Sequence, residues 1–347
     1  MKAATLHSYD EALTAPEFVT YEDVDDPEIT RPSDVVVRIG GAGVCRTDLH
    51  IIEGVWRNHI DLSLPHIMGH ENAGWVEAVG SGVESVKVGD PVICHPMVSG
   101  GHCLACRRGN DMHAADGDLP GITSDGGYAD YLLTVERSLI KLPQSLAPKD
   151  VAPYTDAGLT AYRASKKAAG HLVPGEYCVI IGAGGLGHIG IQALAALCAA
   201  EIIVLDRSDL ALGLAKECGA HHVVKADDGA LDAVMSLTGG HGAEAVIDYV
   251  GEGNAIDQGL AMTRNGGFYY IVGYGGRVQI PAIDMIFSEK TIVGNLVGTY
   301  AELVELMALA DRGLVTLATR EYTLADANQA LHDLHAGTVK GRAVLIP

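Results

Sequence analysis

Residues 176–206, EYCVIIGAGGLGHIGIQALAALCAAEIIVLD, contain a short apolar run, a glycine-rich turn, a long apolar helix pattern and a second apolar run. Short, nearly all-apolar strands that alternate with helices are typical of a parallel sheet with both faces covered. The alternation continues through AVIDYVG (245–251) and FYYIVG (268–273). The sequence therefore predicts an α/β fold in which this part of the chain forms a doubly wound parallel sheet.

The turn after the first strand carries a glycine fingerprint, made by Gly182, Gly184, Gly185, Leu186 and Gly187. Glycine permits the tight turn and lets backbone N–H groups approach a pyrophosphate, whose charge the helix N-terminus stabilises. Asp206 ends the next strand, where a carboxylate accepts hydrogen bonds from the two hydroxyls of an adenosine ribose. The pattern predicts a Rossmann site that prefers NAD to NADP, although the basic Arg207 beside Asp206 would relax that preference.

The first 150 residues follow a different pattern, in which short β-rich runs alternate with glycine and proline turns. The runs are DVVVRIG (34–40), AGWVEAVG (73–80), DPVICHP (90–96) and YADYLLT (128–134). They predict an antiparallel β domain. From about residue 298 the tail contains two helical and two strand patterns. We therefore predict two domains: residues 1–151 with 297–347, and residues 152–296 inserted between them.

Composition excludes several classes of protein. The 347 residues include 24 Lys and Arg against 44 Asp and Glu, a net charge of -20, so most of the surface repels nucleic acid and anionic lipid. The seven scattered cysteines do not form the framework of a disulfide-stapled secreted domain. Neither a signal-peptide pattern nor a run of about 18 apolar residues occurs. We expect a soluble, cytoplasmic protein without nucleic-acid or membrane partners.

Two short stretches of the β-rich part carry candidate metal ligands. GVCRTDLH (43–50) contains Cys45, and GHE (69–71) contains His70 and Glu71. Thiolate and imidazole are natural zinc ligands, and two of them with one carboxylate leave the fourth tetrahedral position open to water or substrate, as in a catalytic site. Taken singly, Cys45 is also compatible with a buried apolar position, and His70 with a structural, hydrogen-bonded imidazole.

The motifs GVCRTDLH, GHENAGWVEAVG, VGD, DGGYADY, TDAGLTAY, GAGGLG and GRAVLIP occur in the order found in zinc-containing medium-chain alcohol dehydrogenases, and the resemblance runs almost end to end. It implies a GroES-like catalytic domain, an inserted Rossmann domain, bound NAD and one catalytic zinc ion per chain. It also implies hydride transfer between NAD and a primary or secondary alcohol, or the corresponding aldehyde or ketone. Relatives form homodimers or homotetramers, and TIVGNLVG (291–298) is a candidate edge strand for such a contact.

The resemblance implies a role for each residue of the metal site. Cys45, His70 and Asp156 match three catalytic zinc ligands, and Glu71 matches a carboxylate that approaches the metal in some members. A charge partner outside the ligand set is an equally good interpretation of Glu71. Asp48 matches a carboxylate that orients the ligating imidazole, and a simple turn role for it stays open.

The resemblance also implies proton-transfer and cofactor residues. Thr47 matches the hydroxyl that receives the alcohol proton, and His50 the imidazole that passes it on, although a histidine without a role is the alternative. Arg46 and Arg342 match residues that contact the cofactor pyrophosphate in relatives. Arginine suits this role because a guanidinium group can donate two hydrogen bonds to a phosphate. A surface or interface charge stays open for Arg342. Thr160 matches a residue that packs at the nicotinamide.

Four further positions match residues that line the substrate pocket in this family: Trp56, Tyr274, Leu296 and Val297. Together they favour an apolar alcohol or ketone over a polyol or a phosphorylated sugar. Plain core positions would explain apolar side chains there equally well.

The segment 99–117, SGGHCLACRRGNDMHAADG, departs from the family pattern. Relatives place the four cysteines of a structural zinc site here, whereas this chain keeps Cys103 and Cys106 and has Gly100 and Ala114 at the other two positions. Two thiolates do not close a tetrahedron. The sequence therefore predicts that the structural zinc is lost, unless a histidine of the segment takes part.

Two other functions stay open. A polyol dehydrogenase of the sorbitol type also uses a catalytic zinc and often lacks the structural one. A non-catalytic NAD-binding protein of the same fold would also explain the degraded segment. The complete set of Cys45, Thr47, His70 and Asp156 argues against this second alternative.

Overall fold

The computed structural model describes residues 1–60 and 62–347, and the chain divides into two compact units. The first unit comprises Met1–Ala157, Thr299–Asp311 and Leu317–Pro347. The second comprises Gly158–Gly298 and Arg312–Thr316. The packing of Arg312–Thr316 with the second unit has no counterpart in the sequence prediction.

The strands are β1 (Lys2–Leu6), β2 (Thr20–Asp23), β3 (Asp34–Val44), β4 (His66–Ile67), β5 (Glu71–Val79), β6 (Pro91–Cys94), β7 (Tyr131–Val135), β8 (Leu139–Lys141), β9 (Tyr177–Ile181), β10 (Glu201–Asp206), β11 (His222–Lys225), β12 (Ala243–Asp248), β13 (Thr263–Ile271), β14 (Thr291–Gly294), β15 (Thr319–Thr323) and β16 (Arg342–Ile346). The helices are α1 (Arg46–Ile52), α2 (Leu104–Arg107), α3 (Pro148–Val151), α4 (Ala157–Ala169), α5 (Gly187–Leu197), α6 (Asp209–Glu217), α7 (Ala230–Leu237), α8 (Ala255–Met262), α9 (Ala282–Ser288), α10 (Tyr300–Asp311) and α11 (Ala327–His335). No described helix combines the length and the apolar character needed to cross a bilayer.

The first unit is built around β3, whose valine-rich sequence is buried at every position except Arg38. Its larger sheet has the order β15-β16-β3-β5-β6-β8, and β7 also pairs with β3. A second sheet has the order β2-β1-β4. All of these pairings are antiparallel except that of β15 with β16. The predicted β-rich, GroES-like fold is confirmed.

The register of β3 and β5 decides what meets at one end of this sheet. Gly43, near the end of β3, pairs with Glu71, the first residue of β5. Cys45 directly follows β3, and His70 directly precedes β5. Because the strands are antiparallel, the residues that leave β3 lie beside the residues that enter β5. The 3-10 turn Ala152–Tyr154 packs on both strands and leads the following residues to the same end.

The second unit contains a six-stranded parallel sheet with the order β11-β10-β9-β12-β13-β14. Alternate residues of β9 belong to two different buried clusters: Cys178 and Ile180 to one, Val179 and Ile181 to the other. Both faces of the strand are therefore covered, which explains its continuous apolar sequence. The predicted doubly wound sheet is confirmed.

Glycine is required where β9 turns into α5. Gly182 has φ +90°, a conformation that other residues rarely adopt. A Cβ atom on Gly187 would lie 1.9 Å from the carbonyl oxygen of Gly182. The turn and the start of the helix can therefore pack this closely only without side chains at these two positions.

Candidate active site

Four side chains with metal-binding groups meet in the first unit: Cys45, His70, Glu71 and Asp156. One ligand atom of each lies within 4.8 Å of a ligand atom of every other. Three are buried and Asp156 is partly exposed. The register of β3 and β5 explains why the first three meet. The structure thus brings together all four residues that the sequence singled out as metal ligands.

The surroundings of His70 fit a metal cation. Its Nε2 is buried, lies 3.4 Å from Oδ2 of Asp156 and makes no hydrogen bond within the described chain. Burial lowers the pKa of His70, but the charge of Asp48 and the contact with Asp156 raise it well above its usual value. A position at which anions favour added positive charge also favours a metal ion, and thiolate, imidazole and carboxylate are zinc ligands.

Asp48 contacts the other ring nitrogen of His70. Its Oδ1 lies 3.2 Å from Nδ1 of His70, and the side chain is fully buried. Its Oδ2 accepts hydrogen bonds from the Cys45 N–H and from the Tyr128 hydroxyl, each of 2.7 Å. A carboxylate at Nδ1 keeps the proton there and leaves Nε2 able to bind a metal. Asp48 therefore lies where the resemblance predicts it.

Tyr128 was missed by the sequence analysis. It is fully buried, and burial together with the charge of Asp48 raises the pKa of its hydroxyl well above the usual value, so the group stays a donor. Its ring lies against Gly69, where a Cβ atom would be 2.3 Å from Cδ1 of the ring. The sequence signal was the motif DGGYADY, which gave Tyr128 no role of its own.

A buried ion pair holds Glu71. One carboxylate oxygen contacts a terminal guanidinium nitrogen of Arg342, and the other accepts the Ala157 N–H at 3.0 Å. Burial raises the pKa of Glu71, and the charge of Arg342 acts in the opposite direction. A Cβ atom on Gly43 would lie 2.0 Å from Oε2 of Glu71, so glycine leaves the room that the carboxylate occupies. Glu71 therefore lies in the ligand cluster and has a charge partner as well.

The two arginines predicted at the pyrophosphate differ in exposure. Arg342 is only 3% exposed, and its Nε makes no hydrogen bond to the described residues. Burial lowers the pKa of Arg342, but the negative groups around it, Glu71 first and then Cys45 and Asp156, together raise the pKa above its usual value, so the guanidinium stays protonated. Arg46 is exposed and donates from Nε to Nε2 of His50 at 3.4 Å. A pyrophosphate contact stays a prediction for both.

Helix α1 carries the two residues of the predicted proton relay. Thr47 is partly exposed and His50 is buried. Because Nε2 of His50 accepts a hydrogen bond from Arg46, the neutral ring carries its proton on Nδ1. The relay itself stays a prediction.

A cavity of about 350 Å³ in the second unit is lined by Gly182, Asp206, Arg207 and Glu252, among others. Asp206 is fixed at the end of β10, because its two carboxylate oxygens accept the Ala183 N–H and the Ser208 N–H, each at 2.8 Å. The other fingerprint residues, Gly184, Gly185, Leu186 and Gly187, form the turn and the first residue of α5. Glu252 was missed, because its loop has no recognisable motif.

The remaining predicted residues lie in both units. In the first unit, Trp56 is partly exposed and packs against the buried core. In the second unit, Thr160 and Val297 are buried, whereas Tyr274 and Leu296 are exposed. Their roles at the substrate and the nicotinamide stay predictions.

The segment that lacks two cysteines forms a second cluster, made by Cys103, Cys106 and Asp116. The two Sγ atoms are 3.1 Å apart, and Oδ2 of Asp116 accepts the Gly100 N–H at 3.0 Å. A Cβ atom on Gly100 would lie 2.5 Å from this oxygen, so the carboxylate occupies the space of a side chain at position 100. Ala114 follows a 3-10 turn and adds no ligand. The sequence analysis missed Asp116, which lies outside the family spacing.

Sequence models of two protein families match the chain. Residues 31–144 match the alcohol dehydrogenase GroES-like domain. Residues 185–312 match the zinc-binding dehydrogenase domain.

Several known proteins are similar over the full length. The solved structure of the alcohol dehydrogenase from the hyperthermophilic archaeon Aeropyrum pernix is 45% identical, with a TM-score of 0.96 and 100% coverage of both chains. The NAD-dependent alcohol dehydrogenase of Sulfolobus acidocaldarius is 36% identical over 99% of both chains. The D-arabinose 1-dehydrogenase (NADP(+)) of Saccharolobus solfataricus is 35% identical over 100% of this chain and 97% of its own.

Proposed function

The chain belongs to the zinc-containing medium-chain alcohol dehydrogenases, and we propose that Cys45, His70 and Asp156 hold its catalytic zinc ion. With zinc and NAD, the enzyme interconverts a primary or secondary alcohol and the corresponding aldehyde or ketone. One observation carries this assignment: the buried Nε2 of His70 lies in a cluster of thiol and carboxylate groups and makes no hydrogen bond within the described chain.

The chain's own residues prepare the site for the metal. A zinc ion bound there acts as a Lewis acid, which favours the alkoxide form of an alcohol and polarises a carbonyl. Asp48 keeps the proton of His70 on Nδ1, so that Nε2 binds the metal. Arg342 neutralises Glu71, which serves as an alternate ligand beside the other three.

Two residues of α1 transfer the proton. The hydroxyl of Thr47 receives the proton of the bound alcohol, and His50 exchanges it with water. The spacing of the two residues supports this role, because residues three positions apart on a helix lie on the same face. His50 takes up the proton at Nε2 when Arg46 gives up its hydrogen bond to that nitrogen.

The nucleotide binds in the second unit at the glycine fingerprint. Asp206, fixed by two backbone N–H groups, holds the adenosine ribose, and Glu252 adds a second carboxylate to the same cavity. Two carboxylates disfavour the 2′-phosphate of NADP more than Arg207 favours it, so NAD is the preferred cofactor. Arg46, Arg342 and Thr160 complete the cofactor contacts.

The substrate is an apolar alcohol or ketone, as the side chains of Trp56, Tyr274, Leu296 and Val297 suggest. A sugar or polyol is the second candidate. The relative named D-arabinose 1-dehydrogenase, 35% identical over the whole chain, favours it.

We further propose one firmly bound zinc ion per chain, because the segment 99–117, called the lobe below, keeps only two of four thiolates.

The proposed domain limits are 1–151 with 297–347, and 152–296, and the proposed location is the cytoplasm. A homodimer or homotetramer forms through β14, which is an edge strand of its sheet. The neighbouring α9 supports this contact, because it has no buried residue and exposes Ile286 and Phe287.

A screen of NADH formation and consumption tests the function. Purified enzyme is offered simple alcohols, ketones, sorbitol and arabinose with each nicotinamide cofactor, before and after zinc removal by a chelator. We expect turnover with NAD and simple alcohols or ketones, loss of turnover without zinc, recovery on zinc addition, and NAD binding throughout. Turnover that survives complete removal of zinc would exclude the proposed role of the metal. Faster turnover of sorbitol or arabinose would favour the second candidate.

A further inference from the structure

The hydrogen bonds of Asp48 are divided unequally between its two carboxylate oxygens. Oδ2 accepts from the Tyr128 hydroxyl and from the Cys45 N–H, each at 2.7 Å. Oδ1 lies at ion-pair distance, 3.2 Å, from Nδ1 of His70 and makes no hydrogen bond within the described residues. One oxygen therefore anchors the carboxylate, and the other is left for the imidazole.

The two donors on Oδ2 do different things. The Cys45 N–H belongs to the same helical turn as Asp48, so it ties the side chain to its own helix. The Tyr128 hydroxyl comes from a residue 80 positions away in the chain. The terminal torsion of an aspartate is broad and sets no firm orientation by itself. A second donor from a separate segment therefore fixes the rotation of the carboxylate.

Tyr128 is itself attached to the segment that carries His70. Its backbone N–H donates to the carbonyl of Met68 at 2.9 Å, and the N–H of Gly127 donates to the carbonyl of Gly69 at 2.8 Å. Its ring packs so closely against Gly69 that a Cβ atom at this position would have no room. Tyr128 thus joins the segment before His70 to the helix that carries Asp48.

We propose that Tyr128 is a positioning residue of the metal site, which sets the orientation of the Asp48 carboxylate and, through it, that of the His70 imidazole. This role rests on the proposed binding of zinc by Cys45, His70 and Asp156. Without the hydroxyl, Oδ2 of Asp48 keeps a single donor, and the carboxylate can turn away from Nδ1 of His70.

The test is the rate at which the zinc-loaded enzyme releases metal to an excess of a chromophoric chelator. Partners of a metal-bound histidine change metal affinity by about 10- to 100-fold, so a residue one step further out should change it less. We expect Tyr128→Phe to release zinc about 3- to 10-fold faster than the wild type. In the cobalt-substituted enzyme, the visible absorption bands should shift.

Tyr269→Phe is the matched control. Tyr269 is also fully buried, and its hydroxyl donates to a buried carboxylate, Oδ2 of Asp248, at 2.6 Å, but it lies in the second unit. It should release zinc at the wild-type rate and leave the cobalt bands unchanged. Equal effects of both substitutions would mean that the loss of any buried hydroxyl loosens the protein, and would overturn the proposed role.

A double-mutant cycle shows whether Tyr128 acts through Asp48. Asp48→Asn should speed release by about 10- to 100-fold, and Tyr128→Phe should add less than about twofold in that background. Effects that simply multiply would overturn the proposed role. If Tyr128→Phe does not fold, Tyr128→Met, which has no hydroxyl and a flexible side chain that can fill irregular space, takes its place.

Cys45→Ser shows whether the proposed metal site or only the proposed role of Tyr128 is wrong. It should remove the slowly released zinc and so identify the phase that belongs to this site. If Cys45→Ser leaves zinc content and release unchanged, the proposed metal site is wrong. If it removes the zinc but Tyr128→Phe releases metal at the wild-type rate, only the role of Tyr128 is wrong.

Discussion

The two cysteine-containing clusters of the first unit differ in the residues that surround their ligands. Around His70, the buried Asp48 contacts Nδ1 of the imidazole. Glu71 and Arg342 form a buried ion pair in which their charges balance. In the lobe, the exposed Asp116 is held by a single backbone N–H. Partners of this kind orient ligands and tune the metal. This difference is what we expect if the first cluster holds the proposed catalytic zinc and the lobe has lost the structural one.

Residues of the lobe support both thiols, but in different ways. Sγ of Cys103 accepts the backbone N–H of Cys106 at 3.4 Å. Sγ of Cys106 lies 3.5 Å from Oγ of Ser99, which donates to Asp111 at 2.6 Å, and Asp111 pairs with Arg137. Cys103 is partly exposed and contacts Cys106 at 3.1 Å. The network therefore holds the lobe together without completing a set of four ligands.

The largest expected difference between the clusters is catalytic. Cys45→Ser should lower kcat/KM by about 10⁴-fold, equivalent to about 5.4 kcal/mol, because it removes a ligand of the Lewis acid. Cys103→Ser, the matched change in the lobe, should lower it by less than about threefold. Steady-state NADH absorbance measures both, with nucleotide binding by Cys45→Ser as the control. Equal losses in the two variants would contradict the separation of catalytic and vestigial clusters.

The sequence predicted those parts of the fold and of the candidate site that depend on local chemistry. The glycine fingerprint and Asp206 are separated by one strand and one helix, so their spacing alone indicates a nucleotide site. Cys45 and His70 stand out because of their residue types. Asp156 follows only from the resemblance, since a lone aspartate in a helical stretch indicates nothing by itself.

The parts that the sequence did not predict depend on contacts between distant segments. Nothing in the sequence connects Tyr128 to Asp48, 80 residues earlier, or places Arg342 beside Glu71, 271 residues earlier. Asp116 reaches the space above Gly100 because the lobe folds back on itself. Side chains from separate strands and loops meet only after the register of the sheet is fixed, and the register is not readable from one motif.

The next largest expected difference is in the stability that the ion pair beside each cluster contributes. Glu71→Gln should lower the free energy of unfolding by about 3–5 kcal/mol, because it removes the carboxylate charge that pairs with the buried guanidinium of Arg342. Arg137→Met should lower it by about 1 kcal/mol, because Arg137 is 42% exposed and water screens its pair with Asp111. Urea unfolding of the zinc-free proteins measures both. Similar losses would show that burial does not distinguish the pairs.

Restoring two cysteines would turn the lobe into a complete site. Gly100→Cys with Ala114→Cys should raise the zinc content from one to two ions per chain, provided that Asp116 moves aside, since a Cβ at position 100 lies 2.5 Å from its carboxylate. The second ion should add about 2.7 kcal/mol to the free energy of unfolding when free zinc is 100 times Kd. Elemental analysis and urea unfolding measure the change, and Gly100→Ser with Ala114→Ser, which adds side chains without thiolates, is the control. Two zinc ions in the unchanged protein would refute the loss of the structural site.

The smallest effect is a pH dependence confined to the lobe. Burial raises the pKa of Asp111, but hydrogen bonds from Ser99 and Arg137 outweigh it and hold the pKa below its usual value. A carboxyl group whose pKa is lowered in the folded state stabilises the protein at pH values above its pKa in the unfolded state, about 3.9. That contribution disappears as the pH falls through the pKa of the group in the folded state.

Asp111→Asn, which keeps the shape of the side chain, isolates this contribution. The zinc-free wild type should exceed the zinc-free variant by about 1 kcal/mol in free energy of unfolding, a difference that is constant above about pH 5 and shrinks below about pH 4. Urea unfolding at a series of pH values measures the difference. A difference that stays constant or grows on acidification would mean that Asp111 is not ionised in the folded lobe. The support of Cys106 would then come from neutral hydrogen bonds, and the contrast with the charge-balanced catalytic cluster would become sharper.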